Sequence, residues 1–198
     1  MSRFLIAALL ALVAFRSARS EAAAPRPGMS RLPEAAAAGP ARTDDARVIV
    51  YVVRHAEKSV VQVGDDPTLS PAGEARATEL ARVLGDAGIT RVFVTHFRRT
   101  RETAEPLARA RGDSLEVVDD TPALIARLRA LPPGTRALVV GHSDTVPDIV
   151  AGLTGVKQPP YESGEWDRLY EVGWTGRGNP ALTLLRYGAA RATAASAP

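Results

Sequence analysis

Val48-Ile49-Val50-Tyr51-Val52-Val53, followed at once by Arg54-His55-Ala56-Glu57, is the stretch of the 198-residue sequence on which the fold turns. Six consecutive apolar, mostly β-branched residues lack the alternation of a half-exposed strand and read as a strand covered on both faces. Such a strand belongs in the middle of a sheet, and the elements downstream supply its cover. Ser70-Pro71 is an N-cap with proline at the first helical position, ahead of a helix carrying Ala72, Ala77, Leu80, Val83 and Leu84 and ended by Gly85 and Gly88. Val92-Phe93-Val94 is a second strand, residues 100–111 a second helix kinked at Pro106, and 115–118 a third strand. A third helix over 122–131 aligns Leu124, Ile125, Leu128 and Leu131, and Ala137-Leu138-Val139-Val140 is a fourth strand with a short helix over 146–153 behind it. The βαβαβαβα order predicts the α/β class: a three-layer α/β/α sandwich with a mostly parallel central sheet. Residues 169–172 and 181–187 read as later strands that add an antiparallel edge.

Outside this domain, taken as 47–190, the chain reads differently. Arg3, a 12-residue apolar run from Phe4 to Phe15 and a small-residue exit near Ala18–Ala22 make residues 1–22 a secretory signal peptide. The run is shorter than the ~20 residues of a spanning helix, so no stable membrane insertion is expected. An uncleaved amphipathic anchor and a start codon placed too early are the alternative readings. Residues 23–46, rich in Ala and Pro, form a linker, and 191–198 a disordered tail. An exported protein, periplasmic or secreted, is the expected setting.

Composition narrows the chemistry. Cysteine is absent, which removes disulfide scaffolds, thiolate metal sites and every cysteine nucleophile. The 25 basic residues exceed the 22 acidic ones, but from Arg47 onward the balance is only 19 against 18. Nucleic acid binding is therefore not expected. Seventeen of those 19 cations are arginine, the residue suited to bidentate oxyanion contacts, although high-GC codon usage explains the same bias.

In open α/β sheets ligands bind beyond the carboxyl ends of the strands. The residues there are Arg54-His55-Ala56-Glu57-Lys58, Thr95-His96-Phe97-Arg98-Arg99 and Gly141-His142-Ser143-Asp144, which hold all three histidines of the chain. Cations and imidazoles gathered on one rim suit a phosphoryl group, whose transfer depends on positioning and electrostatic stabilisation. With no cysteine and no Walker loop, the plausible attacking group is an imidazole.

Arg54-His55-Ala56-Glu57, then Thr95-x-x-x-Arg99-x-x-x-Thr103-Ala104, then Gly141-His142-Ser143 resemble, in order and in placement, the motifs of the histidine phosphatase superfamily, also called phosphoglycerate mutase-like. Leu69-Ser70-Pro71-Ala72-Gly73 is similar to the family's helix start, and the resemblance covers about 47–187. It implies a metal-independent phosphomonoesterase without cofactor, with His55 as the nucleophile that forms a phosphohistidine. Arg54, Arg99 and His142 would clamp the phosphoryl oxygens. Arg98 competes with Arg99, but the four-residue step to Thr103-Ala104 favours Arg99. Thr95, Glu57 and Ser143 are expected to contact substrate, and His96 has no family role and reads as a rim residue. A phosphorylated small molecule, glycan or protein is the expected partner.

The general acid departs from the family pattern. Asp144 stands one position beyond the aspartate of family phosphatases, and Asp119 and Asp120 are the other candidates, so the proton donor stays open. The roughly 40 residues between Arg99 and His142 are used by predicted elements, which leaves no room for a capping insertion. An open site with a weak acid favours good leaving groups or phosphoramidates. A protein phosphohistidine phosphatase and an inactive phosphate- or polyanion-binding module of the same fold are the alternatives. Gly141-His142-Ser143-Asp144-Thr145 lacks the final glycine of a serine-hydrolase elbow, and no histidine follows Ser143. A metal hydrolase built on the three histidines with Glu57 or Asp144 matches no familiar ligand spacing.

Overall fold

The computed structural model describes residues 47–61, 64–176 and 178–189. The expected signal segment 1–22, linker 23–46 and tail 191–198 lie outside the described residues. In chain order the elements are β1 (Val48–Arg54), α1 (Pro71–Leu84), β2 (Arg91–Val94), α2 (Arg98–Arg111), β3 (Leu115–Val117), α3 (Thr121–Arg129), β4 (Arg136–Gly141), α4 (Thr145–Thr154), β5 (Arg168–Trp174) and β6 (Ala181–Arg186). They build one six-stranded sheet in the order β3-β2-β4-β1-β5-β6. The first four strands of that row pair in parallel, β5 runs antiparallel to β1, and β6 closes the edge antiparallel to β5. The mostly parallel α/β sheet with an antiparallel edge is thus the observed fold.

The unbroken apolar run of β1 is explained by its two covers. Val48, Val50 and Val52 point into a core with Leu124 and Leu128 of α3 and Val146, Ile149 and Leu153 of α4. Ile49, Tyr51 and Val53 point the other way, onto Leu80 and Leu84 of α1 and Leu107 of α2. Period-two alternation in a strand buried on both faces gives each helical layer its own contacts. Among the described residues no helix is long and apolar enough to cross a membrane.

Element boundaries moved where distant partners act. α2 starts at Arg98 rather than 100 because its N-cap residue Phe97 offers no side-chain cap, and the Asp66 carboxylate from the loop after β1 accepts the Arg98 N–H at 2.9 Å. The helix runs through Pro106 as one element to Arg111. α3 is capped by Asp120 and ends at Arg129, not 131: Leu131 stays buried, but Pro132 disfavours helical geometry in the residue before it. At α1, Ser70 Oγ accepts the Gly73 N–H at 3.2 Å while Ser70 N donates to Glu57 O at 2.8 Å. A Cβ at Gly73 would sit 2.2 Å from Glu57 O, so the helix can start against the loop after β1 only with glycine there.

Candidate active site

Strand order brings the motif residues together. β4 lies between β1 and β2, with α4 leaving it on one face of the sheet and α1 and α2 on the other, which opens a crevice at its carboxyl end. The β1–β4 register ends at Arg54 opposite Gly141, and the His55 N–H donates to Gly141 O at 2.9 Å. His55 and His142 therefore leave adjacent strands side by side, with ring centroids 5.4 Å apart at an interplanar angle of 63°. On the other flank Phe93 pairs with Val139, so Thr95 comes level with Gly141, and its Oγ1 lies 3.1 Å from His142 Nε2.

His55 is 6% exposed and its Nδ1 lies 2.7 Å from Ala56 O. A carbonyl can only accept, so Nδ1 carries the proton and Nε2 is left with a free lone pair. Ala56 is held in turn: its N–H donates to Thr103 Oγ1 at 2.9 Å, and that hydroxyl donates to Arg99 O at 2.7 Å. Burial pushes the His55 pKa down to about 3, with the charges of His142, Arg54 and Arg99 adding to it against the hydrogen bond to Ala56 O. Burial, then Arg99, lowers His142 to about 4, partly opposed by Asp144.

These shifts set a stability trend. In the unfolded chain both imidazoles take up a proton near pH ~6.5, whereas the native site refuses it until about pH 4 and 3. Native stability is flat in this respect above pH ~6.5 and declines as pH falls through the window below, His55 alone giving a slope of roughly 1 kcal/mol per pH unit. Melting temperatures of wild type and His55→Gln between pH 7.5 and 4.5 check this. The variant is expected to lose less on acidification.

Two guanidiniums face the imidazoles. Arg54 donates through Nη1 to Glu165 O at 2.9 Å and lies 5.1 and 5.5 Å from the ring centroids of Trp166 and Tyr161. Its Nε is buried without a partner, and burial lowers its pKa against the charges of Tyr161 and Glu165. Arg99 stacks 4.1 Å over the Phe97 ring, and its nearest carboxylate oxygen is Asp66 Oδ1 at 3.8 Å. It too is lowered by burial. Desolvated cations with unused donors and an unprotonated imidazole nitrogen are chemically suited to receive a tetrahedral oxyanion.

Behind Arg54 stands a charge network in which Glu165, Asp167 and Arg168 are buried and Arg186 is exposed. Glu165 Oε1 and Oε2 accept from Arg168 Nε and Nη2 at 2.7 and 2.6 Å, and Arg186 Nη1 bridges Glu165 and Asp167 at 2.9 and 2.6 Å. Burial opposes ionisation of Glu165, yet the bonds from Arg168, Glu162 N and Arg186 outweigh it and hold the carboxyl at about 2. The network fixes the loop whose carbonyl holds Arg54.

Several expected site residues are engaged elsewhere. Glu57 does not join the oxyanion receptor: its carboxylate takes three hydrogen bonds of 2.8–3.0 Å from Arg76 of α1, which also donates to Tyr187 O and Ala189 O. Its role is to hold α1 and the last described residues to the loop after β1. Glu57→Ala would strand a guanidinium that is 7% exposed, so urea unfolding should show a loss of about 3 kcal/mol, with kcat/KM of the folded protein within about threefold of wild type. Asp120 Oδ1 caps α3 through Ala123 N at 2.7 Å. Asp119 Oδ1 accepts from His96 N at 2.8 Å and lies 2.9 Å from His96 Nδ1; those two bonds hold its carboxyl below the usual range. Asp144 is exposed and accepts the Thr145 N–H at 2.9 Å, while its charge acts on Arg54, Arg99 and His142. Ser143 is half-buried with no side-chain hydrogen bond among the described residues. Arg98 is exposed and pairs with Glu102 at 3.3 Å, so Arg99 is the arginine of this pair beside the imidazoles.

Residues the sequence reading missed are Asp66, Phe97, Tyr161, Glu165 and Trp166. Only Phe97 had a signal, its place inside the second motif. The others sit in connecting loops without periodicity. Thr95, His96, Phe97, Asp119, His142 and Asp144 border a cavity of about 300 Å³ floored by Phe93, Leu124 and Ile149. Among the described residues no group of three or more His, Asp or Glu side chains is placed to hold a metal ion.

Comparison with known proteins is consistent with this geometry. Residues 50–122 match the family model of the histidine phosphatase superfamily (branch 1). No curated protein matches the chain. Among solved structures, the protein histidine phosphatase SixA complexed with tungstate is 24% identical, with a TM-score of 0.60 over 70% of this chain and 96% of that one. YhfR of Bacillus stearothermophilus (13%, 0.57, 69% and 96%) and a phosphoglycerate mutase of Bacillus anthracis (15%, 0.56, 72% and 94%) share the fold. Residues 50–122 thus match the histidine phosphatase superfamily in sequence, and the described domain shares the fold of these solved structures.

Proposed function

We propose that the domain is a metal-independent phosphomonoesterase that works through a phosphohistidine on His55. The observation that carries this reading is the hydrogen bond from His55 Nδ1 to Ala56 O, which keeps Nε2 unprotonated inside a cationic pocket. The Nε2 lone pair attacks phosphorus and the bond to the leaving oxygen breaks, leaving the phosphoryl group on His55. Arg54, Arg99 and His142 bind the non-bridging oxygens, whose charge builds in the transition state. Water then attacks the phosphohistidine, releasing inorganic phosphate and restoring the neutral imidazole. Export of the protein, read from residues 1–22, belongs to the same proposal.

A second reading, hydrolysis of phosphohistidine on a protein substrate, is favoured by the open rim. α2, β3, α3 and β4 use the chain between the second and third motifs with short connections, so no insertion stands between those two motifs. The likeness to a protein histidine phosphatase supports the same reading. The test is a panel of phosphoesters and phosphohistidine peptides, with acid-quench trapping of label on the enzyme. Label on His55, insensitive to chelator, is the expected result. Phosphate binding without turnover of any substrate would replace the enzyme reading with that of a binding module.

A further inference from the structure

We propose that His96, oriented by Asp119, is the proton donor to the leaving group, a catalytic role that rests on the phosphohistidine reading. Of the three candidate carboxylates, Asp120 caps α3, Asp119 is bound to His96, and Asp144 is exposed with one oxygen, Oδ1, spent on Thr145 N.

The geometry around His96 is that of an oriented acid–base group. A single oxygen, Asp119 Oδ1, accepts from its main-chain N–H and faces its Nδ1, so ring and backbone are clamped by the same carboxylate. The Nδ1 proton is thereby assigned, and Nε2 has no partner among the described residues on a side chain 59% exposed. Position links this nitrogen to the reacting centre. β2 and β4 pair through Phe93 opposite Val139, three residues before His96 and His142 respectively. Its ring lies on Phe97 at 3.9 Å, and Phe97 in turn packs edge-on to His142 at 5.4 Å and beneath Arg99 at 4.1 Å. His96, Phe97, His142 and Arg99 thus form one continuous wall. A leaving group that runs from a phosphoryl held at His142 into the cavity bordered by His142, Phe97 and His96 comes alongside His96.

The proton balance closes over the two steps. As the bond from phosphorus to the leaving oxygen breaks, Nε2–H of the imidazolium passes its proton to that oxygen, and Nδ1–H stays on Asp119. The neutral imidazole then takes the proton of the attacking water and is again imidazolium when phosphate departs. Asp119 is a positioning residue in this scheme.

The test compares kcat/KM on p-nitrophenyl phosphate, whose leaving group needs no proton, with that on an alkyl ester such as β-glycerophosphate. His96→Gln is expected to cost ~10²-fold on the alkyl ester and under about threefold on the aryl ester. Asp119→Asn should steepen the leaving-group dependence in the same direction, by about tenfold. Equal losses on both substrates, no loss on either, or a wild type that does not turn over alkyl esters would each overturn the assignment. His55→Ala, assayed in parallel, separates the two proposals. If it keeps hydrolysing, the phosphohistidine reading fails; if it is inactive while His96→Gln leaves the substrate ratio unchanged, only the His96 assignment fails.

Discussion

Replacing His55 by alanine should lower kcat for p-nitrophenyl phosphate by on the order of 10⁴- to 10⁶-fold, the scale seen when a covalent nucleophile is removed. Arg54, Arg99 and His142 are left in place, so the variant should still bind inorganic phosphate, which separates loss of chemistry from loss of the site. The environment of the ring adds a pH signature. Its proton is held on Nδ1 by Ala56 O and its pKa lies at about 3, so Nε2 is already unprotonated well below neutrality. Wild-type kcat/KM should therefore show no loss through this group between pH 7 and pH 5, where an ordinary histidine with pKa ~6.5 would have titrated. Acid-quench labelling of wild type but not of the variant checks the nucleophile directly. Residual activity within a hundredfold of wild type would assign the attack to another group.

Arg54→Lys should lower kcat/KM by roughly 10²- to 10³-fold, the effect of losing an oriented donor to a developing oxyanion. Charge is retained in this variant, so the loss isolates geometry. The guanidinium is planar, is flanked by the rings of Trp166 and Tyr161, and spends Nη1 on Glu165 O, which leaves a fixed set of donors for an oxyanion. A lysine ammonium cannot reproduce that fork or the stacking. The loss should fall mainly on kcat if the donors tighten as the transition state forms, and mainly on KM if they bind ground and transition states alike. Unchanged kcat/KM would show that charge alone suffices at this position.

The outline of this domain was readable because its signals are local. The run Val48–Val53 declared a doubly covered strand, Ser70-Pro71 a helix start, and the apolar segments at 92–94 and 137–140 further strands. Each depends on residues within a few positions of one another. The motif residues at the strand ends were readable for the same reason, since the carboxyl end of a parallel strand is where an α/β sheet presents ligand-binding groups. Side-chain pairing was not. Glu57 looked free to meet substrate until α1 brought Arg76 against it, and Asp119 looked like a candidate acid until the β2–β3 pairing set it beside His96. Tyr161, Glu165 and Trp166 reach Arg54 across more than a hundred positions of sequence. Such contacts follow from the insertion of β4 between β1 and β2 and from the return of β5 alongside β1. Hydrophobic periodicity says which face of an element is buried and nothing about which neighbour it will lie against, so the choice of partner for each buried charge is made only when the sheet is assembled.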